Sequence, residues 1–150
     1  MTILETPRFA LPLLAVGQAH KELFHNDALL LLDFLAHPVV QAVVDDPTPL
    51  SPAEGDCWLV GSAALAEWSG REDHIAGWSA GGWCFVKPQE SMKIIVESDH
   101  SSAVYVDGVW QFLQHINAPI GGVNIDLEAR TAIDSILALL RTAQILPQIN

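Results

Sequence analysis

Positive charge is scarce in this sequence, which has 7 Lys and Arg against 18 Asp and Glu and a net charge of −11. The basic residues are scattered along the chain, at Arg8, Lys21, Arg71, Lys87, Lys93, Arg130 and Arg141. Nucleic-acid-binding proteins neutralise phosphates with clustered Lys and Arg. The sequence therefore predicts no nucleic-acid partner, and its acidity disfavours anionic membrane surfaces.

Charge of either sign is also sparse, because only 17% of the residues are charged whereas 50% are hydrophobic. A soluble domain usually carries about a quarter charged residues. The 150 residues suit one domain with a sizeable core, or one domain and a docking segment. The shortage of charge predicts that another copy of the chain covers part of the surface, in a homo-oligomer.

Long apolar runs are missing too, since the leucine-rich stretch at residues 28–32 ends at Asp33. This run is too short to span a bilayer, and residues 1–9 lack the pattern of a signal peptide. We therefore expect the protein to begin in the cytoplasm. The two cysteines, Cys57 and Cys84, suit a reducing compartment, although a disulfide between them stays open.

Catalytic motifs are equally hard to find. His20 and His25 are five residues apart, whereas the zinc-binding helix of metalloproteases places two His four apart on one face. There is no nucleophile elbow and no phosphate-binding loop. Four carboxylates of the β-rich region suit glycoside hydrolysis in principle, namely Asp56, Asp73, Asp99 and Asp107. Asp107 is explained by a turn, so the sequence predicts no enzyme, no metal and no cofactor.

The chain order predicts an α+β fold. Residues 1–16 read as an extended arm held by Pro7 and Pro12, and a helix follows over residues 17–37, ending before Pro38. That helix is apolar on more than one side, which suggests two partners for it. The clearest helix spans residues 126–143, with Asn124 or Asp126 as its cap.

Short apolar runs between these helices predict strands at 56–60, 76–78, 83–86, 92–96, 103–106 and 109–113. We expect residues 1–113 to form an arm, a helix and an antiparallel β domain. Residues 114–123 read as a linker, and residues 124–150 as a C-terminal helix that docks on its own domain or on copies of itself.

Two hairpins repeat one aromatic pattern at an interval of 27 residues. Turns are predicted at Gly81-Gly82 in the first hairpin and Asp107-Gly108 in the second. An aromatic residue precedes each turn and another follows it, at Trp78 and Trp83 and at Tyr105 and Trp110. We expect adjacent hairpins of one twisted antiparallel sheet. Their rings form either the core or a shallow platform on which sugar rings stack.

Four blocks of the sequence resemble a known, uncharacterised domain family. They are Thr6-Pro7-Arg8-Phe9-Ala10-Leu11-Pro12 with Gly17-Gln18-Ala19-His20-Lys21 and His25-Asn26-Asp27-Ala28-Leu29; Ser51-Pro52-Ala53-Glu54-Gly55-Asp56 with Trp58-Leu59-Val60; the hairpin from Ile75 to Pro88; and Asp126-Leu127-Glu128-Ala129-Arg130. This family occurs in prophage tail proteins and in head-spike proteins of the gene transfer agents of alphaproteobacteria.

The resemblance implies a structural protein of a phage-like particle, made in the bacterial cytoplasm and then carried on the particle surface. We expect it to form a homo-oligomer of five or three copies. Its other expected partners are a capsid or portal-side protein, an attachment fibre and host capsule polysaccharide. At 150 residues the chain is similar to a spike base or a tail accessory module. The alternatives are a free glycan-binding module or a glycan hydrolase.

Candidate contact residues follow for both roles. The candidate assembly contacts are Pro7, Arg8, Phe9, Leu11, Pro12, Gln18 and His25. The arm is expected to lie along a neighbouring chain or the capsid, because its prolines leave few backbone donors unsatisfied; the alternative is that it packs on its own domain. The candidate glycan contacts are Trp78, Trp83, Tyr105 and Trp110.

Overall fold

The computed structural model describes residues 4–17, 19–114, 116–122 and 125–146 and confirms the predicted α+β fold. Its helices are α1 (Lys21–Leu35) and α2 (Leu127–Thr142). Its strands are β1 (Val39–Val40), β2 (Val43–Val44), β3 (Cys57–Val60), β4 (Ile75–Ser79), β5 (Gly82–Val86), β6 (Lys93–Val96), β7 (Ser101–Val106) and β8 (Val109–Phe112). No helix in these ranges is long and apolar enough to cross a membrane.

The chain forms two compact units, Met1–Gln89 and Glu90–Asn150. In the first, β2 pairs in parallel with β3, and β3, β4 and β5 follow as antiparallel neighbours. In the second, β6, β7 and β8 pair antiparallel in order. The predicted boundaries of the linker, after residue 113 and before residue 124, stay predictions. The division into two compact units does not test how the C-terminal helix docks.

The expectation of one sheet containing both hairpins is wrong. The first hairpin, β4–β5, and the second hairpin, β7–β8, belong to different sheets. The buried Pro88 follows β5 by two residues. Proline has no backbone N–H to donate to a strand ladder, so its position favours an end to the first sheet before the second hairpin begins.

Both predicted hairpins form in the structure. Trp78 pairs with Trp83, and Tyr105 pairs with Trp110 at the same place in the second hairpin. Asp107 and Gly108 both have positive φ, 52° and 81°, as a type I′ turn requires. The first turn differs from its prediction, because Ala80 and Gly81 form it and Gly82, at φ 104°, opens the next strand.

Helix α1 begins at Lys21, later than the predicted Gly17, because His20 before it adopts a left-handed conformation (φ 66°). It buries Phe34 on the face of the first sheet at Gly77. A Cβ atom added at Gly77 would lie 2.6 Å from the Phe34 ring. Glycine at this position therefore permits close contact between helix and sheet.

The N-terminal arm is folded back, which corrects the expected extended form. Within it, Thr6 N donates to Leu11 O at 3.0 Å, and Leu13 N donates to Leu4 O at 2.8 Å. The buried carboxylate of Asp33 in α1 accepts hydrogen bonds from the Thr6 hydroxyl at 2.6 Å and from two further backbone N–H groups of the arm. A buried carboxylate needs such donors, so α1 holds the arm on its own chain.

Helix α2 begins as predicted. Asp126 Oδ1 accepts a hydrogen bond from Ala129 N at 2.9 Å, while Asn124 lies outside the described residues. Arg130 donates to Pro119 O and Gly121 O, and Arg141 donates to a carbonyl of the same preceding segment. An apolar stripe runs along this helix and is only partly covered by its own unit; it consists of Ala129, Ile133, Ile136, Leu137 and Leu140. Leu137 is buried, but the other four residues of the stripe are exposed or half-buried.

Candidate functional site

One face of the first sheet is almost entirely aromatic. Side chains alternate between the two faces of a strand, and the register joins Trp58 to Ala76 and Ala76 to Phe85. The pair Trp78 and Trp83 lies on this same face. The opposite face carries Gly77 and the two cysteines, under Phe34 of α1.

Trp83 is the centre of the aromatic cluster. Its ring centroid lies 4.8 Å from that of Trp78, 5.0 Å from Trp68 and 5.6 Å from Trp58. The interplanar angles are 70°, 82° and 79°, so all three contacts are edge-to-face. Aromatic pairs favour this geometry, and each adds about 0.5–1.5 kcal/mol beyond simple burial. These contacts therefore stabilise the cluster beyond the burial of its apolar area.

Burial divides the cluster into a core and a surface. Trp68 is 0% exposed and Trp58 is also buried, whereas Trp78 and Trp83 are only half-buried. The two readings left open by the sequence therefore apply to different rings. Trp58 and Trp68 build the core, and the cross-strand pair Trp78 and Trp83 retains surface that a ligand can reach.

The exposed parts of this pair line a cleft of about 320 Å³, which we call the tryptophan cleft. Residues 45–52, the proline loop, contribute Pro47, Thr48, Leu50 and Pro52 to it. A 3-10 helix at Ala66–Trp68 contributes Ala66 and Glu67. The lining is mostly apolar, with one hydroxyl and one carboxylate, which is typical of small-molecule sites.

Hydrogen bonds hold the proline loop in place. Leu50 N donates to Pro47 O at 2.9 Å, and Thr48 N donates to Asp46 Oδ1 at 2.9 Å. The hydrogen bonds from the Thr48 side chain and backbone lower the pKa of Asp46. Asp45 accepts from Ala63 N through its side chain. These turns join the loop to the segment before the 3-10 helix and preform the cleft.

The second aromatic pair has a different setting. The ring centroids of Tyr105 and Trp110 are 5.3 Å apart, at 63°, which repeats the geometry of the first pair. Trp110, however, is 9% exposed, and Tyr105 is half-buried. Of the four predicted glycan contacts, the structure brings Trp78 and Trp83 to one cleft and leaves Tyr105 and Trp110 together in the other unit.

The predicted assembly residues lie mainly on the folded arm. Arg8 Nη1 donates to Phe34 O at 3.1 Å and lies 3.8 Å from Cys57 Sγ. Phe9, Pro7 and Pro12 are exposed, and Leu11 is half-buried. His25 is exposed on α1, and Gln18 lies outside the described residues.

The thiols of the first unit are free, at Cys57 and Cys84. Gly77 lies between them in the sheet register, so they occupy strands that are not neighbours. Burial raises the pKa of Cys57 to about 11, which makes it a poor nucleophile near neutral pH. In the described part of the chain no group of three His, Cys, Asp or Glu side chains is placed to hold a metal ion.

Sequence reasoning missed the walls of the cleft. The three prolines within residues 47–52 predict a loop, but nothing near Glu67 in the sequence predicts that this residue lines a site. A proline-rich loop followed by three strands that each carry tryptophan is a usable signal, because rigid proline rings pack against tryptophan. Which ring it covers depends on tertiary contacts.

Residues 25–111, more than half of the chain, match a family model described as a protein of unknown function, DUF2793. The chain belongs to the DUF2793 family. No curated protein matches the chain. The DUF2793 segment runs from the second turn of α1 into β8 and includes every described residue that lines the tryptophan cleft.

Proposed function

We propose that this DUF2793 protein is a non-catalytic structural protein of a gene-transfer-agent or phage-like particle, and that its tryptophan cleft contacts host surface polysaccharide. The proposed place is a spike base or a tail accessory module. Particle membership is supported by the sequence resemblance described above. The contact with polysaccharide is supported by one observation, the half-buried pair Trp78 and Trp83 in a preformed cleft.

The cleft suits a sugar ring on physical grounds. The apolar face of a pyranose packs on an indole, and two indoles held at 70° offer two walls to one ring. Thr48 and Glu67 supply hydrogen-bonding groups for sugar hydroxyls. The volume of about 320 Å³ lies at the small end of ligand sites, so each cleft accommodates one or two sugar rings and binds weakly.

Weak sites become effective when a particle presents many of them. Linked sites gain about 10²–10⁴ in avidity where geometry permits simultaneous contact. We therefore propose a homo-oligomer of five or three copies, with a capsid or portal-side protein below it and an attachment fibre above it. The protein is made in the bacterial cytoplasm and is then carried on the surface of the released particle.

Helix α1 supports self-association. Phe24, Ala28, Leu31 and Leu35 follow one another at spacings of four, three and four, which is the seam pattern of packed helices. Phe24 is 80% exposed, and the neighbouring Leu32 is exposed as well. Apolar side chains in such a row are stabilised when the same row of a second copy covers them.

The experiment uses particles assembled with variants. Trp78→Ala should leave the protein in the particle and reduce adsorption to encapsulated cells, whereas Phe112→Ala, an exposed aromatic of the second hairpin, serves as the matched control. Equal adsorption by both variants would end the proposed role of the cleft.

Mass spectrometry of purified particles tests the structural part of the proposal. A protein that binds polysaccharide but is missing from the particles is a free glycan-binding module. Shortening of capsule polysaccharide by the isolated protein would make it a hydrolase instead.

A further inference from the structure

The tryptophan cleft carries negative charge. Among the described residues that line it, Glu67 is the single ionisable one. The proline loop on its rim also carries Asp45 and Asp46, and the pKa of Asp46 is lowered by its hydrogen bonds to Thr48. A ligand that enters the cleft therefore meets negative charge and no lining cation.

Hydrogen bonds fix the backbone on either side of Glu67. Ala66 has a left-handed φ of 50°, which turns the chain at the start of the 3-10 helix. Leu65 N donates to Asp45 O at 2.9 Å, and Trp68 N donates to Leu65 O at 3.0 Å. Trp68 itself is packed on Trp83, whose ring lines the cleft. The carboxylate is exposed, so it is available to a ligand.

A cation does exist on the same face of the sheet, but it has another contact. The guanidinium carbon of Arg71 lies 5.2 Å from the centroid of the Phe85 ring, and Arg71 is not part of the cleft lining. The whole chain carries a net charge of −11. An anionic sugar would therefore approach an acidic protein and find no positive group among the residues of the cleft.

We infer that the tryptophan cleft selects amino sugars over uronic acids, with the Glu67 carboxylate pairing with the sugar ammonium. This inference rests on the proposed contact with polysaccharide and specifies its chemical class. Indole stacking provides affinity for any pyranose. The Glu67 carboxylate makes that affinity depend on the charge of the sugar, because it attracts an ammonium group and repels a carboxylate. Exposed ion pairs contribute little individually, and the expected preference is about two- to fivefold per site.

The test uses isolated protein and tetrasaccharides of gluco and galacto configuration, each in neutral, amino and uronic acid form, titrated by calorimetry while the amino groups are protonated. The amino form should bind about two- to fivefold more tightly than the neutral form, and the uronic form should bind more weakly than both. Glu67→Gln removes the charge but keeps a hydrogen-bonding side chain, so it should abolish the preference for the amino form over the neutral form.

Glu54→Gln is the matched control, because it removes the same charge from an exposed residue of the first unit outside the cleft. It should keep the ranking of the wild type. An equal change in both variants, or uronic forms that bind as tightly as amino forms, overturns the inference. If the sugars bind and Trp78→Ala weakens that binding about tenfold, the proposed function survives that result. If no tetrasaccharide binds, both ideas fail.

Discussion

The two aromatic hairpins share a sequence pattern and a pairing register but not a surface. Trp78 and Trp83 of the first hairpin line a cleft, whereas Trp110 of the second is 9% exposed. The proline loop and the 3-10 helix pack against the first pair and leave part of both rings accessible. The same local pattern thus lines a cleft in one unit and is more deeply buried in the other, depending on the segments that cover it.

The largest expected effect is on the buried part of the first cluster. Trp68→Ala should lower the free energy of unfolding by about 3–5 kcal/mol, because Trp68 is fully buried against Trp83. Urea denaturation followed by circular dichroism measures the change. Trp68→Phe should lose much less, since it keeps an aromatic ring and removes an indole N–H that has no acceptor among the described residues. Equal losses would contradict the packing described.

Alkaline pH should distinguish the two units. Burial raises the pKa of Cys57 to about 11 from an ordinary value of 9.0, so above pH 9 the unfolded chain loses this proton before the folded chain does. Stability is therefore complete below pH 9 and falls towards pH 11, by about 2 kcal/mol. Hydrogen exchange should show the loss first in the unit that contains Cys57. Cys57→Ala should remove this dependence, whereas Cys84→Ala should retain it.

Gly77 of the first hairpin corresponds to Val104 of the second, and substitution by alanine should affect stability differently at the two positions. Gly77→Ala places a Cβ atom against the Phe34 ring and should lower the free energy of unfolding by about 1–3 kcal/mol. Val104→Ala deletes only part of a half-buried side chain and should lose less. Thermal unfolding measures both. A Gly77→Ala protein as stable as the wild type would mean that α1 does not pack closely on the sheet.

Polysaccharide binding should depend on one hairpin only. Trp78→Ala should weaken binding of the isolated protein about tenfold, since aromatic anchors of a site typically contribute more than 1 kcal/mol. Tyr105→Ala, at the equivalent place in the second hairpin, should leave affinity unchanged. Calorimetry with capsule fragments measures the difference. Losses of equal size would show that both hairpins contribute to the site.

The smallest expected effects have opposite signs at equivalent turn positions. Gly81 has no positive φ, and a Cβ atom there would lie 3.7 Å from its nearest neighbour, Ser79 Oγ. Gly81→Ala should therefore stabilise the protein by about 0.4–1 kcal/mol. Gly108 has a φ of 81°, so Gly108→Ala should destabilise it by about 1 kcal/mol. Thermal shifts in the same direction would contradict the turn types described.

Local sequence patterns determined the elements of this protein. The period of two and the glycine turns predicted both aromatic hairpins, in which Trp78 pairs with Trp83 and Tyr105 with Trp110. Asp126, one of the two predicted capping residues, caps α2. These features depend on residues that are close together in the chain, so nearby side chains are enough to define them.

Long-range contacts decided the rest. The prolines of the N-terminal arm predict an extended segment, but hydrogen bonds to Asp33 hold the arm against α1. The two hairpins belong to different sheets. The solvent exposure of Trp78 and Trp83 depends on how the surrounding loops pack. The periodicity of apolar residues in the sequence does not predict that packing. The hydrophobic effect is non-directional. The sequence by itself therefore determined which rings pair, and only the tertiary structure decided which of them remain at the surface.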